Sequence, residues 1–421
     1  MVRNNEGRRV DMALTSSRPK LAIVSPFLDK RHGTERRVVE WIAHLSAAFE
    51  VHIYSQRVED VDLSSATWHR IPRLPGPHLF NFIWWFAANR IWRSFHRHFR
   101  RLRYDVVFSP GVNCLDADAV SVHIVFGEYL DQVSSKLRFR ESDISTWPQI
   151  AHRKLYYKLL IALERQVFTN SRTTLILIAR KTGDEITRHY AREGPFPVMY
   201  LGIDHATFNP SRRKTIRAEA RKSLGISPDR FVVLLIGNDW RNKGVPVLLE
   251  ALSRIIDLPV DLLVVSNEHS NECESLVETY ALKGRVQIQA PRREVEQFYA
   301  AADSYAGPSL EDTFALPPAE AMACGLPVIV SSTNGTSEII RDERDGLILP
   351  DARDAGTLSS MIRRLVEDPD FREHLGRNAS ETALQFSWES NGRDLSRIFG
   401  EIFAKKLRPQ EDSLAAQVRN Q

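Results

Sequence analysis

Short apolar runs alternate along this chain with longer segments whose apolar positions recur at helical spacing, the pattern of βα units around a parallel sheet. The run LAIVSP (21–26) precedes a break at Gly33-Thr34 and a helical segment with Val38, Ile42, Leu45 and Phe49 on one face. VHIYS (51–55), YDVVFSP (104–110), DAVSVHIVF (118–126), TLILIA (174–179) and PVMYLG (197–202) read as further strands, with a long helix near 150–168. Residues 203–230 turn polar and basic, with Pro210 and the cluster Arg212, Arg213 and Lys214, and read as an interdomain connection. A second series follows: FVVLLIG (231–237), VDLLVVS (260–266), RVQIQA (285–290), SYAGPS (304–309), PVIVSS (327–332) and LILP (347–350) as strands, joined by helices at 244–256, 293–302, 317–324 and 354–367.

Length changes this picture into one of two domains, because 421 residues with 43% hydrophobic side chains exceed what one core usually serves. The boundaries are read as 1–205, 206–385, a terminal helix at 386–405 and a mobile polar tail at 406–421. The three cysteines, Cys114, Cys273 and Cys324, are far apart and form no CxxC pair, which argues against a disulfide framework or zinc site and fits a reducing cytosol. The first residues carry charges but no apolar stretch of signal length, and no run approaches the roughly 18 apolar residues of a transmembrane helix. A net charge of +4 is too small to imply a nucleic-acid partner. Its distribution matters more: residues 63–104 hold no Asp or Glu, but eight arginines and four of the eight tryptophans.

The chemistry concentrates in PSLEDTFALPPAEAMACGLPVIVSSTNGTSEII (308–340). A strand ending at Pro308-Ser309 delivers two carboxylates, Glu311 and Asp312, on a loop. A helix then opens at Pro317 or Pro318 and stops at Gly325. Free amides of such a loop and first helical turn offer partial positive charge to phosphate, and Glu320 lies where an acid can accept ribose hydroxyls. This segment resembles the donor-site signature of glycosyltransferase family 4, EGFGLPxLEAMACGxPVI. Asp312 falls on its first Glu, Phe314 on Phe, Leu316-Pro317 on Leu-Pro, Glu320 on the second Glu and Ala321 to Gly325 on AMACG. The departures are Asp312 for Glu, Thr313 and Ala315 for glycines, and Pro318-Ala319.

Other segments resemble the same family. LLIGNDWRNKGVPVLLEAL (234–252) matches its Lys-Gly at Lys243-Gly244, with Asn238 where the family often has Arg and Arg241 nearby as a substitute phosphate contact. SPFLDKRHGTERRVVEWIAHLS (25–46) matches a loop of two glycines followed by x-Glu-Arg, with His32 for the first glycine and Gly33, Glu35 and Arg36 in place. His123 follows a strand near where members carry a cleft-facing His. LGIDHATFNP (201–210) and FSWE (386–389) match the domain connection and the C-terminal helix.

The resemblance implies an α/β GT-B fold of two Rossmann-like domains facing each other across a cleft. Residues 1–205 would serve the acceptor side, 206–385 would bind nucleotide sugar, and the terminal helix would cross back. It implies retaining transfer from a nucleotide-sugar co-substrate to a glycan, lipid-linked or other cell-envelope acceptor, as in polysaccharide biosynthesis, without metal or further cofactor. Asp312, His123 and Glu35 become the catalytic candidates: Asp312 at the sugar, His123 and Glu35 at the acceptor or reacting sugar. Lys243, Arg241, Thr313, Phe314, Ala315, Leu316, Glu320 and Gly33 become the donor-binding candidates. An epimerase or hydrolase of the same fold, or a non-catalytic nucleotide-sugar-binding subunit, stays open as an alternative. Read for its arginines and for Trp84, Trp85 and Trp92, the stretch 77–104 suggests peripheral contact with an anionic membrane surface on the cytoplasmic side.

Overall fold

The computed structural model describes residues 18–29, 33–133, 147–268 and 271–419. The chain divides into two compact units, residues 1–120 with 395–421, and residues 121–394.

The first sheet is built from β1 (Lys20–Val24), β2 (Glu50–Ser55), β3 (Ala66–Arg70), β4 (Val106–Pro110), β5 (Ala119–Val122) and β6 (Thr174–Leu177), in the order β3-β2-β1-β4-β5-β6. β1 pairs parallel with β2 and β4, and β2 with β3. Its helices are α1 (Gly33–Leu45), α2 (His78–Phe99), α3 (Phe126–Val133), α4 (Trp147–Phe168) and α5 (Lys181–Tyr190). Leu21, Ile23 and Phe108 of the strands and Trp41 of α1 are fully buried, as continuous apolar strands covered by helices require.

After α6 (Pro210–Ser223) the same order recurs. β7 (Phe231–Ile236), β8 (Val260–Val265), β9 (Val286–Gln289), β10 (Ser304–Gly307), β11 (Val328–Ser331) and β12 (Leu347–Leu349) run β9-β8-β7-β10-β11-β12, all parallel. α7 (Val245–Ser253), α8 (Asn271–Thr279), α9 (Glu296–Ala301), α10 (Leu316–Ala323), α11 (Ala355–Glu367) and α12 (Pro369–Ala383) surround this sheet. Val233, Leu235, Leu248, Leu249, Ile329 and Leu358 meet in its core. The final helix, α13 (Trp388–Arg419), places Phe399 against Phe49 and Phe108, with ring centroids 6.1 and 5.2 Å away. The side chains of the polar tail beyond Leu407 lie outside the described residues.

Three readings of the pattern are corrected. The run 118–126 is strand only to Val122, because Phe126 already opens α3. Residues 197–202 form no strand; Val198 makes a single bridge to Leu177, and Pro195 and Pro197, which have no N–H to donate, precede it. The polar connection 203–230 contains α6, whose Asn209 side chain caps the Arg212 amide at 2.8 Å and whose Pro210 starts the first turn. Its arginines face inward: Arg213, Arg217 and Arg221 donate to the carbonyls of residues 300–302, and Arg217 and Arg221 also reach Asp303.

Candidate functional site

The second unit gathers its chemistry where β7 and β10 end. β10 stops at Gly307, and Pro308–Ala315 crosses to α10. Two neighbouring loops hold this crossing. From the β7 side, Leu310 donates its amide to the Asn242 carbonyl at 2.7 Å, and Asn242 Nδ2 donates to the Glu311 carbonyl at 2.9 Å. Gly244, at φ +83°, permits the approach: a Cβ there would lie 2.2 Å from the Pro308 carbonyl oxygen. From the β11 side, Gly335 donates to the Asp312 carbonyl at 2.9 Å, and a Cβ on Gly335 would lie 1.8 Å from the Thr313 oxygen. The Thr336 hydroxyl closes the loop by accepting from the Ala315 amide at 3.1 Å and donating to the Ala315 carbonyl at 2.7 Å.

Within this frame Lys243 forms an ion pair with Asp312, and both side chains are mostly buried. Lys181, the first residue of α5, pairs in the same way with Glu311 and donates to the Thr333 carbonyl at 2.8 Å. Glu338 accepts the Arg180 and Lys181 amides at 2.7 and 2.9 Å and the Tyr200 hydroxyl at 3.1 Å, so one carboxylate satisfies the start of α5. Among the described residues the amides of Thr313 and Phe314 make no protein hydrogen bond, whereas that of Ala315 is taken by Thr336.

The expected residues therefore separate. Lys243, Asp312, Thr313, Phe314, Ala315 and Leu316 lie together. Glu320, in the second turn of α10, is only 6% exposed and accepts the Tyr299 hydroxyl at 2.7 Å; burial beside this acid pushes the tyrosine well above its ordinary range. Arg241 pairs through its guanidinium with Glu272 and lies over the Trp240 ring, 5.4 Å from the centroid. Asn238, in the place of an arginine, instead organises the next loop by accepting the Asn267 amide at 3.0 Å. His123 sits between β5 and α3, with Nε2 3.4 Å from the Ser121 hydroxyl. Gly33 and Glu35 occupy the first turn of α1 in the other unit, and His32 lies outside the described residues. Lys181, Asn242, Thr336 and Glu338 escaped the sequence reading because each is an ordinary polar residue whose partner is remote in the chain.

Residues 216–382 match the family of glycosyl transferases group 1, and residues 31–207 match glycosyltransferase family 4. The chain belongs to glycosyltransferase family 4. The family-4 chain is 31% identical over 256 residues to the D-inositol 3-phosphate glycosyltransferase of Corynebacterium kroppenstedtii, covering 58% of this chain and 56% of that protein. It is 30% identical over 258 residues to the same-named protein of Salinispora tropica, covering 58% and 53%. It thus spans about half the length of the curated relatives it matches. Among solved structures it resembles WaaG, a glycosyltransferase involved in lipopolysaccharide biosynthesis, at TM-score 0.72 and 20% identity, covering 90% of this chain and 99% of that one. It also resembles Anabaena HepE in complex with UDP and glucose, at TM-score 0.68 and 17% identity over 91% and 99% of the chains. The fold is GT-B, with two Rossmann-like domains.

Proposed function

We propose that this family-4 chain transfers a sugar, with retention of configuration, from a nucleoside-diphosphate sugar to a glycan, lipid-linked or other cell-envelope acceptor. The observation that carries the reading is the Lys243–Asp312 pair beside the unengaged amides of Thr313 and Phe314. A departing diphosphate needs fixed positive charge and oriented donors, which Lys243 and these amides would supply together. Donor entry would release Lys243 from Asp312, turning the lysine to phosphate and the carboxylate to sugar hydroxyls. Glu320 takes the ribose hydroxyls. His123, Glu35 and Gly33 serve the reacting sugar and acceptor. The acceptor hydroxyl bonds to the anomeric carbon as the bond to diphosphate breaks, and its proton leaves with the diphosphate.

The test measures nucleoside diphosphate released from a panel of nucleotide sugars, with and without candidate acceptors. Acceptor-dependent release supports transfer. Release independent of acceptor favours a hydrolase, and binding without release favours a non-catalytic subunit.

The membrane reading is proposed here on different side chains. Trp85 is buried with Nε1 on Asn113, Trp84 donates to the Pro72 carbonyl, and Arg93 is buried against Asp116 at 2.7 Å, so these three are structural. The outward face of α2 instead carries Phe80, Ile83, Ile91, Phe95 and Phe99, from 48% to 77% exposed, beside exposed Arg90 and Arg97 and followed by exposed Arg100, Arg101 and Arg103. No helix of the described residues is long and apolar enough to cross a membrane. We propose that this face rests on anionic lipid at the cytoplasmic side, since apolar insertion and cations act together there. Co-sedimentation with anionic but not neutral vesicles, lost in an Arg97, Arg100 and Arg101 to Ser variant, is the expected result.

A further inference from the structure

We propose that Glu164 is a positioning residue for the transfer reaction, fixing from α4 the short loop that carries His123. The proposal rests on the reading of His123 as a group at the reacting sugar or acceptor. Glu164 is only 1% exposed, and its two carboxylate oxygens lie 3.1 and 3.0 Å from the Phe126 amide. Tyr190 of α5 donates its hydroxyl to the same carboxylate. The first amides of α3, which no residue of their own helix can satisfy, are therefore held by an acid from a distant part of the chain.

The grip continues along α3. A Cβ on Gly127 would lie 2.9 Å from the His189 ring, and Glu128 accepts from His189 at 3.0 Å and from Arg188 at 2.6 Å. On the other side Ser121 and Val122 are buried in β5. Only His123, Ile124 and Val125 span the gap between these anchors, and Val125 is itself buried. A loop so short, fixed at both ends, holds its side chains in one geometry, which is what a group acting on a reacting centre requires. Burying an acid is a costly way to cap a helix when a local Ser or Asp would serve, so the carboxylate does more here than fill space.

The groups facing Glu164 are the Phe126 and Gly127 amides of α3, and Tyr190 and Glu185 of α5; Arg165 of α4 lies over the Tyr190 ring. Burial raises the Glu164 pKa to about 7, with Glu185 adding to the rise and the hydroxyl and amides opposing it. As pH falls through 7 the carboxylate takes a proton and its hold on the amides weakens.

The experiment compares wild type, Glu164→Gln, Tyr190→Phe, His123→Ala and the Glu164→Gln/His123→Ala double variant by kcat and KM from pH 5.5 to 8.5, with nucleoside diphosphate affinity and urea midpoints alongside. Glu164→Gln is expected to lower kcat about 10-fold with diphosphate affinity unchanged, and to abolish the acid limb of the wild-type profile near pH 7. Tyr190→Phe, which removes only a hydroxyl and keeps the ring, moves that limb to higher pH because it removes a bond to the charged form. The double variant is no worse than the poorer single one, the non-additivity of residues acting as a unit. Wild-type kcat in Glu164→Gln, an acid limb retained in it, or a limb unmoved in Tyr190→Phe overturns the proposal. Full activity in His123→Ala removes the His123 reading itself, which separates that failure from the failure of Glu164 alone.

Discussion

The two sheets have the same strand order and opposite economies of polar groups. Around β10 and β11 polar atoms are spent on holding one loop: Asn242, Thr336 and Gly335 bind backbone, while Lys181 and Lys243 pair with its carboxylates. Beside β2 and β3 a different cluster forms, in which His52 Nδ1 lies 3.0 Å from His69 Nε2 and the Tyr54 hydroxyl lies 2.6 Å from both His96 and Tyr104. That cluster binds side chain to side chain and underpins α2, whose outer face carries exposed apolar side chains. One topology thus serves two ends: a loop-end backbone geometry that carries the proposed donor site, and a flank that supports a surface helix.

The sharpest way to break this contrast is through glycine. Gly335→Ala, which would force its Cβ onto the Thr313 carbonyl, is expected to lower kcat/KM about 100-fold, the cost of displacing a site by about 1 Å. Gly244→Ala adds backbone strain to a clash with Pro308 and should cost about 3 kcal/mol in urea unfolding. Gly111→Ala, at φ +78° with nothing within 4 Å, meets strain alone and should cost only about 1 kcal/mol with donor use intact. Equal effects at Gly335 and Gly111 would contradict the claim that the second unit is the geometrically constrained one.

A smaller effect is expected from Thr336→Val, which leaves the Ala315 amide and carbonyl without their partner. Leaving such buried groups unpaired costs about 1–3 kcal/mol, read here as a raised donor KM with acceptor KM unchanged. In the other region, Phe95→Ser with Phe99→Ser should cut anionic-vesicle binding several-fold while shifting stability by about 0.5 kcal/mol or less, since both rings are exposed. A large stability loss would mean that this face is core, not contact surface.

The smallest expected effect concerns pH. Burial, with nearby cationic groups, lowers His69 to about 4 and also lowers His52 and His96. The unfolded chain therefore binds more protons between about pH 4 and 6.5, so stability is full above that window and falls as pH drops through it. Because the raised Glu164 acts in the opposite sense over this range, the reading is the difference between variants: acidification from pH 7.5 to 5.5 should lower the urea midpoint more, or raise it less, in wild type than in His69→Gln. An identical response in the two proteins would contradict the neutral cluster.

Much of this was legible in the sequence wherever a run of residues carries its own signal. β7 and β11 are apolar runs buried on both faces, β8 is one but for Asp261, and α10 announces itself by Pro317, Pro318 and Gly325. The Lys243–Asp312 neighbourhood was legible because a string of ordered family matches surrounds it. α5 was not, since its buried positions are Thr182, Gly183, Ile186 and Tyr190, too small or polar to show a stripe. The faces of α2 were misassigned because tryptophan and arginine have interfacial and core uses alike, and only the partners Asn113, Pro72 and Asp116 decide between them. Glu164 and Glu338 could not be seen at all, because each acts on backbone amides far from it in the chain.

The most direct test of the donor-site account is calorimetric titration of UDP, GDP and ADP into wild type, Lys243→Ala and Asp312→Ala. The account predicts that one nucleotide binds wild type, that Lys243→Ala weakens it about 10-fold or more by losing a charge-assisted phosphate bond, and that Asp312→Ala binds it at least as tightly. Wild-type affinity in a folded Lys243→Ala, or equal weakening in both variants, would contradict the assignment of lysine to phosphate and carboxylate to sugar.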